Sequence, residues 1–177
     1  DRRSPAHLAR ETDGDLYWVD YRREDARCDF VRLAAAPGAA PEVLFSDALG
    51  DFSEMGCATD LAVDDARLYW LHGDEIRAAS HASAQPTIEI LARGERYPRE
   101  LAVGATHVYW TTLGADPYED DLTRRGALRA LPLAGGRART VAARLTEPNE
   151  LTLDGSEITL IEQSADGEQL RRYPITE

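Results

Sequence analysis

The sequence contains no lysine, and all 20 of its basic residues are arginine. Lysine is common on exposed strand edges, where its charge discourages pairing with other chains. Any edge strand in this protein must therefore be protected by Arg, Asp, Glu or Pro. Acidic residues are in excess, with 32 Asp and Glu and a formal net charge of −12. An acidic surface repels phosphate backbones, which argues against a nucleic-acid partner.

Long apolar runs and cysteines are also scarce. No apolar run approaches the roughly 20 residues that a membrane-spanning helix needs, so we expect no membrane span. The two cysteines, Cys28 and Cys57, are too few for a structural zinc site or a disulfide framework. They suffice for one disulfide in an oxidising compartment.

The common enzyme signatures are missing too. The sequence has no Gly-x-Ser-x-Gly, no His-Glu-x-x-His and no glycine loop of the kind that binds phosphate. The four histidines, His7, His72, His81 and His107, show no paired spacing, and we expect the last three at the surface. These absences favour a protein that is not an enzyme.

The sequence does contain an internal repeat. Leu-Ala-Val, four turn residues and then Leu or Val with Tyr-Trp occur at 61–70 and 101–110; a related copy lies at 151–160 and a longer, weaker one at 8–18. Asp, Gly and Ser favour tight reversals, whereas Val, Leu, Tyr and Trp favour strands, so each copy predicts strand, turn, strand. A second apolar segment follows every copy, and a third follows only the first three.

Short strands in repeated groups predict an all-β fold, a β-propeller with four blades in the chain. The ring is either closed with four blades or part of a larger ring through association. We predict a single domain over 1–177, with blades at approximately 6–46, 58–93, 98–143 and 148–177. Trp18, Trp70 and Trp110 share one register, and we expect them in cores between blades. The alternative is a set of rings that stacks on a ligand.

The repeat resembles those of known propellers. Leu-Ala-Val-x(4)-Val-Tyr-Trp-Thr at 101–111, followed by Leu-Pro-Leu-Ala-Gly-Gly at 131–136, is similar to repeats of bacterial envelope propellers. It also looks like the YWTD propellers of the low-density-lipoprotein receptor family and, more distantly, NHL-type propellers. The resemblance implies the fold but no activity. Only the first copy keeps the Asp of that pattern, as Asp20; later copies have His72 and Thr112 there.

One position of the repeat is a candidate cation site. The residue before each leading Leu is His7, Asp60, Glu100 or Glu150. The innermost strands of a propeller line its channel, so equivalent positions would form a ring at one channel mouth. Packed carboxylates favour a cation or an arginine, and an oxygen-rich ring suits Ca²⁺. Lactonase-type propellers hold a divalent metal in a broadly similar place. The alternative is a solvated acidic rim without a ligand.

A second candidate is the insertion at 113–125, between the second and third strands of blade three. Its residues suited to contacting a partner are Asp116, Tyr118, Glu119, Asp120 and Asp121. Long loops that carry function often have such a composition. The alternative is a solvated hairpin extension.

The predicted blade boundaries give the expected positions of the two cysteines. Cys28 would start the third strand of blade one, and Cys57 would end the connection into blade two. Both would lie on the same face between neighbouring blades, so the geometry allows a Cys28–Cys57 disulfide. The alternative is two unpaired thiols.

Blade four is expected to lack its outermost strand, since the sequence ends at Glu177, soon after the third-strand segment at 170–175. An uncovered third strand exposes N–H and C=O groups and invites pairing with another chain, although Pro174 protects part of this edge. We therefore predict a homodimer. The alternative is a closed, four-bladed monomer.

Together these features predict a non-enzymatic ligand- or protein-binding propeller module of the cell envelope or exterior. Its location would be extracytoplasmic, whether periplasmic, on the outer surface or secreted, and its partner would be a protein or a small molecule. The alternative function is a propeller-type hydrolase or lyase with a metal at the channel mouth.

Overall fold

The computed structural model of the chain describes residues 3–22, 24–48, 58–83, 85–115, 125–164 and 166–175. Within these ranges no helix is long and apolar enough to cross a membrane. The strands are β1 (Arg3–Arg10), β2 (Leu16–Arg22), β3 (Arg27–Leu33), β4 (Glu42–Ala48), β5 (Leu61–Val63), β6 (Arg67–His72), β7 (Glu75–Ser80), β8 (Glu89–Ala92), β9 (Pro98–Val103), β10 (His107–Thr112), β11 (Gly126–Pro132), β12 (Arg139–Leu145), β13 (Asn149–Asp154), β14 (Glu157–Ser164) and β15 (Gly167–Pro174).

The strands form four separate sheets, each built from strands that follow one another in the chain. The first three sheets have four strands each, in the orders β1-β2-β3-β4, β5-β6-β7-β8 and β9-β10-β11-β12. The fourth has three described strands, in the order β13-β14-β15. These sheets are the four blades of a β-propeller, so the predicted fold class is confirmed. We number the blades one to four in chain order.

The chain divides into two compact units, Asp1–Ile90 and Leu91–Glu177. In the first unit, β1 packs against β5, and in the second unit, β9 packs against β13. Each of these pairs brings together the first strands of two successive blades. The first strands therefore lie side by side within each unit, which places equivalent positions of the repeat near one another.

The second strands of blades two and three are buried on both faces. All six residues of β10 are buried, and in β6 only Arg67 is not. This explains the continuous Leu-Tyr-Trp segments, because a strand covered on both faces needs apolar residues without alternation. Trp70 and Trp110 are fully buried, as predicted, whereas Trp18 is half-buried.

Each unit has a core between its blades. In the first unit, Trp70 of blade two packs with the rings of Phe30 and Phe45 of blade one, with centroid distances of 4.6 and 5.9 Å. In the second unit, Leu128 of blade three lies in one cluster with Leu160 of blade four. Aromatic and aliphatic burial of this kind is the main stabilising contribution to such cores.

In blades one and two, the tyrosine of the repeat donates a hydrogen bond into the turn between the first two strands. Tyr69 Oη donates to Asp64 Oδ2 at 2.7 Å, and burial together with this bond raises the pKa of Tyr69. The buried hydroxyl of Tyr109 has no such partner. The reason lies in the repeat, since Gly104 stands in blade three where Asp64 stands in blade two.

We therefore expect Gly104→Asp to stabilise the protein by about 1 kcal/mol, since it supplies an acceptor for Tyr109 and removes a flexible glycine from the unfolded chain. A Cβ at this position would meet no atom closer than 3.4 Å, the distance to Leu153 Cδ1. Urea denaturation measures the effect. Tyr109→Phe should be nearly neutral in the natural chain but should remove part of the gain in the Gly104→Asp background. Tyr69→Phe should cost roughly 1 kcal/mol.

Candidate functional site

In each blade, the start of the first strand lies beside the end of the second strand, and we call this side of the sheet its upper edge. Three of the four candidate cation ligands lie at or near upper edges, Asp60 in blade two, Glu100 in blade three and Glu150 in blade four, whereas His7 is the fifth of the eight residues of β1. In three of the four blades the position of the candidate ligand coincides with an irregularity of strand pairing.

The irregularity is an extra residue in the first strand. In blade one, Ala6 pairs with Val19 but Ala9 pairs with Tyr17, so that His7 and Leu8 face a single residue of β2. A register shift of this kind is a β-bulge, which turns the side chains of the bulged strand out of the regular pattern.

Blades three and four repeat this feature. In blade three the shift falls between Pro98 and Leu101 and contains Glu100. In blade four it falls between Asn149 and Thr152 and contains Glu150. The bulge holds the candidate ligand and the leading Leu in blades one and four, whereas in blade three it lies one residue earlier and holds Arg99 and Glu100. It contains the candidate ligand each time.

In the first unit, the structure brings two of the predicted residues together. His7 Nδ1 lies 3.9 Å from Asp60 Oδ1, and both side chains are partly exposed to solvent. Asp60 Oδ1 also accepts the backbone N–H of Leu61 at 2.8 Å. These contacts hold the Asp60 carboxylate at the start of β5.

In the second unit, Glu100 lies on β9 and Glu150 on β13, the two first strands that pack side by side. The backbone N–H of Glu100 donates to Thr111 Oγ1 at 3.3 Å, a bond that the bulge makes available. Glu150 has a positive φ of 53°, unusual for a residue other than glycine. Both acidic residues are therefore presented by irregular backbone at an upper edge.

The upper edges also carry a polar position whose burial was not evident when the four copies of the repeat were compared. The fourth residue of each Tyr-Trp-x-x segment, or its equivalent, is polar and buried in all four blades: Asp20, His72, Thr112 and Glu162. Polar residues stand at this place in every blade, although only the first is the Asp of the YWTD pattern. Expecting His72 at the surface was wrong, and so was the same expectation for His107, which is buried against the ring of Tyr109 at 5.8 Å.

In blades two and three, an arginine of the third strand forms an ion pair near the upper edge. Arg77 Nη1 lies 2.8 Å from Asp47 Oδ2, and Arg129 Nη2 lies 3.3 Å from Glu95 Oε1. The same carboxylate of Glu95 accepts the indole N–H of Trp110 at 3.0 Å. Because Asp47 and Glu95 precede the blades that hold their arginines, these pairs join successive segments of the repeat.

Blade four has the same arrangement within its own sheet. Arg171 Nε donates to Glu162 Oε2 at 2.9 Å, while Glu162 Oε1 accepts the backbone N–H of Thr146. A signal for all three pairs was present in the sequence, because an arginine recurs at an equivalent position of the third-strand segment in blades two, three and four. Arg77, Arg129 and Arg171 each stand opposite the Trp position of β6, β10 or β14.

The predicted partner loop falls mostly outside the described residues, which omit Asp116, Tyr118, Glu119, Asp120 and Asp121 along with the rest of 116–124. Its base is described and lies at the upper edge of blade three. The N–H groups of Leu113 and Gly114 donate to the carbonyls of Tyr97 and Arg96, each at 3.0 Å. Gly114 has a φ of 74°, and a Cβ there would lie 1.9 Å from the carbonyl oxygen of Arg125. Only glycine fits this close approach.

Cys28 is completely buried on β3 and is disulfide-bonded. Cys57 lies outside the described residues, so the pairing of the two cysteines stays a prediction.

One further group of carboxylates, not expected from the sequence, lies at the opposite edge of blade one. One oxygen each from Glu11, Asp13 and Asp15 lies within 4.8 Å of the others. The chain already satisfies much of this group, since the N–H of Ala35 and the guanidinium of Arg32 bind Asp15 and lower its pKa. We therefore assign the cluster to the structure of the turn.

Comparison with known proteins supports the fold. No family model matches the chain, and no curated protein matches it. It is similar to a solved structure of a luciferin-regenerating enzyme, with 12% identity and a TM-score of 0.55. This match covers 95% of the chain, which spans 59% of the length of that enzyme.

Two further solved structures match at lower TM-scores. One is TolB from Acinetobacter baumannii, with 12% identity and a TM-score of 0.32; the match covers 98% of this chain and 55% of TolB. The other is the hemopexin fold protein CP4 from cow pea, with 14% identity and a TM-score of 0.36; the match covers 97% of this chain and 94% of CP4. At such identities a likeness concerns the fold, and one fold serves many functions.

Proposed function

We propose that the chain is a non-enzymatic ligand- or protein-binding propeller module of the cell envelope or exterior, and that it binds through its upper edges. One observation carries the proposal. The first strand is bulged in blades one, three and four, within one residue of the same repeat position, and the three bulges contain His7, Glu100 and Glu150. Bulges re-aim side chains and are over-represented next to functional sites.

The backbone at two of these residues supports a functional role. His7 and Glu150 have φ values of 52° and 53°. A non-glycine residue in such a conformation costs on the order of 1–3 kcal/mol, and such outliers cluster at binding and catalytic sites. Regular strand pairing would avoid this cost. The presence of the strained conformation at equivalent positions of two blades therefore favours a functional role for the side chains of His7 and Glu150.

The chemistry of these side chains favours a positively charged ligand. Three of the four residues before the leading Leu are acidic, and the fourth, His7, already lies beside a carboxylate, that of Asp60. Carboxylate oxygens suit Ca²⁺, and they also pair with the guanidinium group of an arginine. We propose that His7 with Asp60 in the first unit, and Glu100 and Glu150 in the second, attract such a group.

The insertion between β10 and β11 is the proposed second element of the binding face. It would supply Asp116, Tyr118, Glu119, Asp120 and Asp121 to a protein partner. Its base supports this, because the hydrogen bonds of Leu113 and Gly114 fix the start of the insertion at the upper edge of blade three.

An oxidising location fits the cysteine. A disulfide-bonded Cys28 suits an extracytoplasmic compartment, whether periplasmic, outer-surface or secreted. The Cys28–Cys57 pairing is part of this proposal, and mass mapping of non-reduced peptides tests it: recovery of both cysteines as free thiols would contradict it.

Titration of CaCl₂ into protein stripped with a chelator tests the binding face. We expect binding in the range of roughly 10⁻⁴–10⁻³ M, as in extracellular modules. Glu100→Gln and Glu150→Gln should each weaken it at least about threefold, because each removes a charge from the site. Glu157→Gln is the matched control, since Glu157 is an exposed acid at the other end of blade four. It should leave the affinity unchanged.

Equal effects of Glu150→Gln and Glu157→Gln would show that Ca²⁺ only senses the net charge. The purified protein should also be analysed for metals before stripping. A stoichiometric, tightly held divalent metal would favour the alternative function, a propeller-type hydrolase or lyase that uses this metal.

A further inference from the structure

Among the described strands, the outermost strand of blade four, β15, pairs on one side only. In this sheet β15 pairs with β14 along all eight of its residues, from Gly167 opposite Ser164 to Pro174 opposite Glu157. The order of the described strands ends at β15, whereas every other blade has a fourth strand beyond its third. Most of β15 is exposed to solvent.

The pairing shows which backbone groups point outward. The N–H of Ile175 donates to the carbonyl of Ser156 at 2.7 Å, so the backbone N–H of Ile175 points toward β14. Along an antiparallel strand, successive residues direct their backbone N–H and C=O groups alternately toward one neighbouring strand and the other. Glu168, Leu170 and Arg172 therefore direct these groups away from β14. Pro174 belongs to the same outward set, where its missing N–H removes no bond to β14.

We propose that two copies of this chain associate by pairing their β15 strands antiparallel, with Leu170 of each copy on the twofold axis. Outward-facing residues must meet outward-facing residues in such a pair. Placing Leu170 opposite Leu170 aligns all three of them and allows about six backbone hydrogen bonds. The proposal goes beyond the binding function and does not rest on it.

The charges of β15 are complementary to themselves in this register. Glu168 of each copy lies directly opposite Arg172 of the other, which gives two cross-strand pairs of opposite charge. A contact between identical surfaces requires this kind of self-complementarity.

Apolar contact adds to the pairing. The side chain of Leu170 is 59% exposed, although its cross-strand neighbour on β14 is Ile161. Self-pairing would bring the two Leu170 side chains together on the face that carries Ile161. Without such a partner, an exposed apolar residue on an unpaired edge strand would promote aggregation.

Sedimentation equilibrium at micromolar concentrations and about 0.15 M salt tests the proposal. We expect a species of twice the 19.6 kDa chain mass. Arg172→Glu and Glu168→Arg should each weaken self-association roughly ten- to a hundredfold, because each turns two attractive pairs into repulsive ones. The double variant should associate like the natural chain, and so should a mixture of the two single variants, which complement each other.

Glu157→Arg is the control, because it makes the same charge change in this sheet away from the outer edge of β15. It should leave association unchanged. A monomer throughout the concentration range would overturn the proposal. So would a dimer that is indifferent to Arg172→Glu, or two single variants that fail to associate when mixed.

Discussion

Replacing Trp70 with Ala should lower the free energy of unfolding by about 3–5 kcal/mol, among the largest effects expected of a single substitution. Trp70 is fully buried and lies against Phe30 and Phe45 of the neighbouring blade. Removing the indole would leave a cavity between two sheets that cannot close without moving both. Urea denaturation followed by circular dichroism measures the change.

A pair of conservative substitutions separates packing from hydrogen bonding. The buried N–H of Trp70 has no acceptor, whereas the N–H of Trp110 donates to the buried carboxylate of Glu95. Trp110→Phe should therefore cost about 1–2 kcal/mol more than Trp70→Phe, since it leaves a buried acceptor without its donor. A loss below about 1 kcal/mol for Trp70→Ala would contradict the interblade packing of Trp70.

The repeat made much of this core predictable. Leu61, Leu101 and Leu151 hold the same place in the motif, and all three are buried. Leu8 holds that place in blade one but is 67% exposed. The bulge of β1 does not account for this, because Leu151 lies in the matching bulge of β13 and is buried. A motif in the sequence does not reveal how each strand packs in its sheet. Burial follows from register, and register depends on the whole sheet.

In the candidate site, too, some features could be predicted from the repeat and others depend on the folded sheets. The sequence predicted that the residues before each leading Leu occupy equivalent places, because they share one position of the repeat. It also predicted that these residues gather at one channel mouth, and His7 Nδ1 lies 3.9 Å from Asp60 Oδ1 of the next blade. It could not predict the bulges. The Arg77–Asp47 pair was missed for a different reason: its partners are 30 residues apart and belong to different blades. Only Arg77 belongs to a recurring pattern.

The Arg77–Asp47 pair should make a large contribution to stability, and Arg77→Met tests it. We expect a loss of about 2–4 kcal/mol, because the substitution keeps the apolar stem of the side chain but leaves the buried carboxylate of Asp47 without its closest cation. His72 Nδ1, 3.8 Å from Asp47 Oδ2, is too distant to form a hydrogen bond in place of the guanidinium. Arg77 also binds Glu75, and this contact would be lost at the same time.

A double-mutant cycle isolates the pair from the rest of the arginine. Asp47→Asn removes the buried charge, so the combination with Arg77→Met should destabilise by clearly less than the sum of the two single changes. Arg67→Met is the control, since Arg67 pairs with the exposed carboxylate of Glu89. Surface pairs of this kind contribute about 0–1 kcal/mol. If Arg77→Met and Arg67→Met cost the same in urea denaturation, the interblade ion pair does not stabilise the fold, and the recurring arginines of the third strands need another explanation.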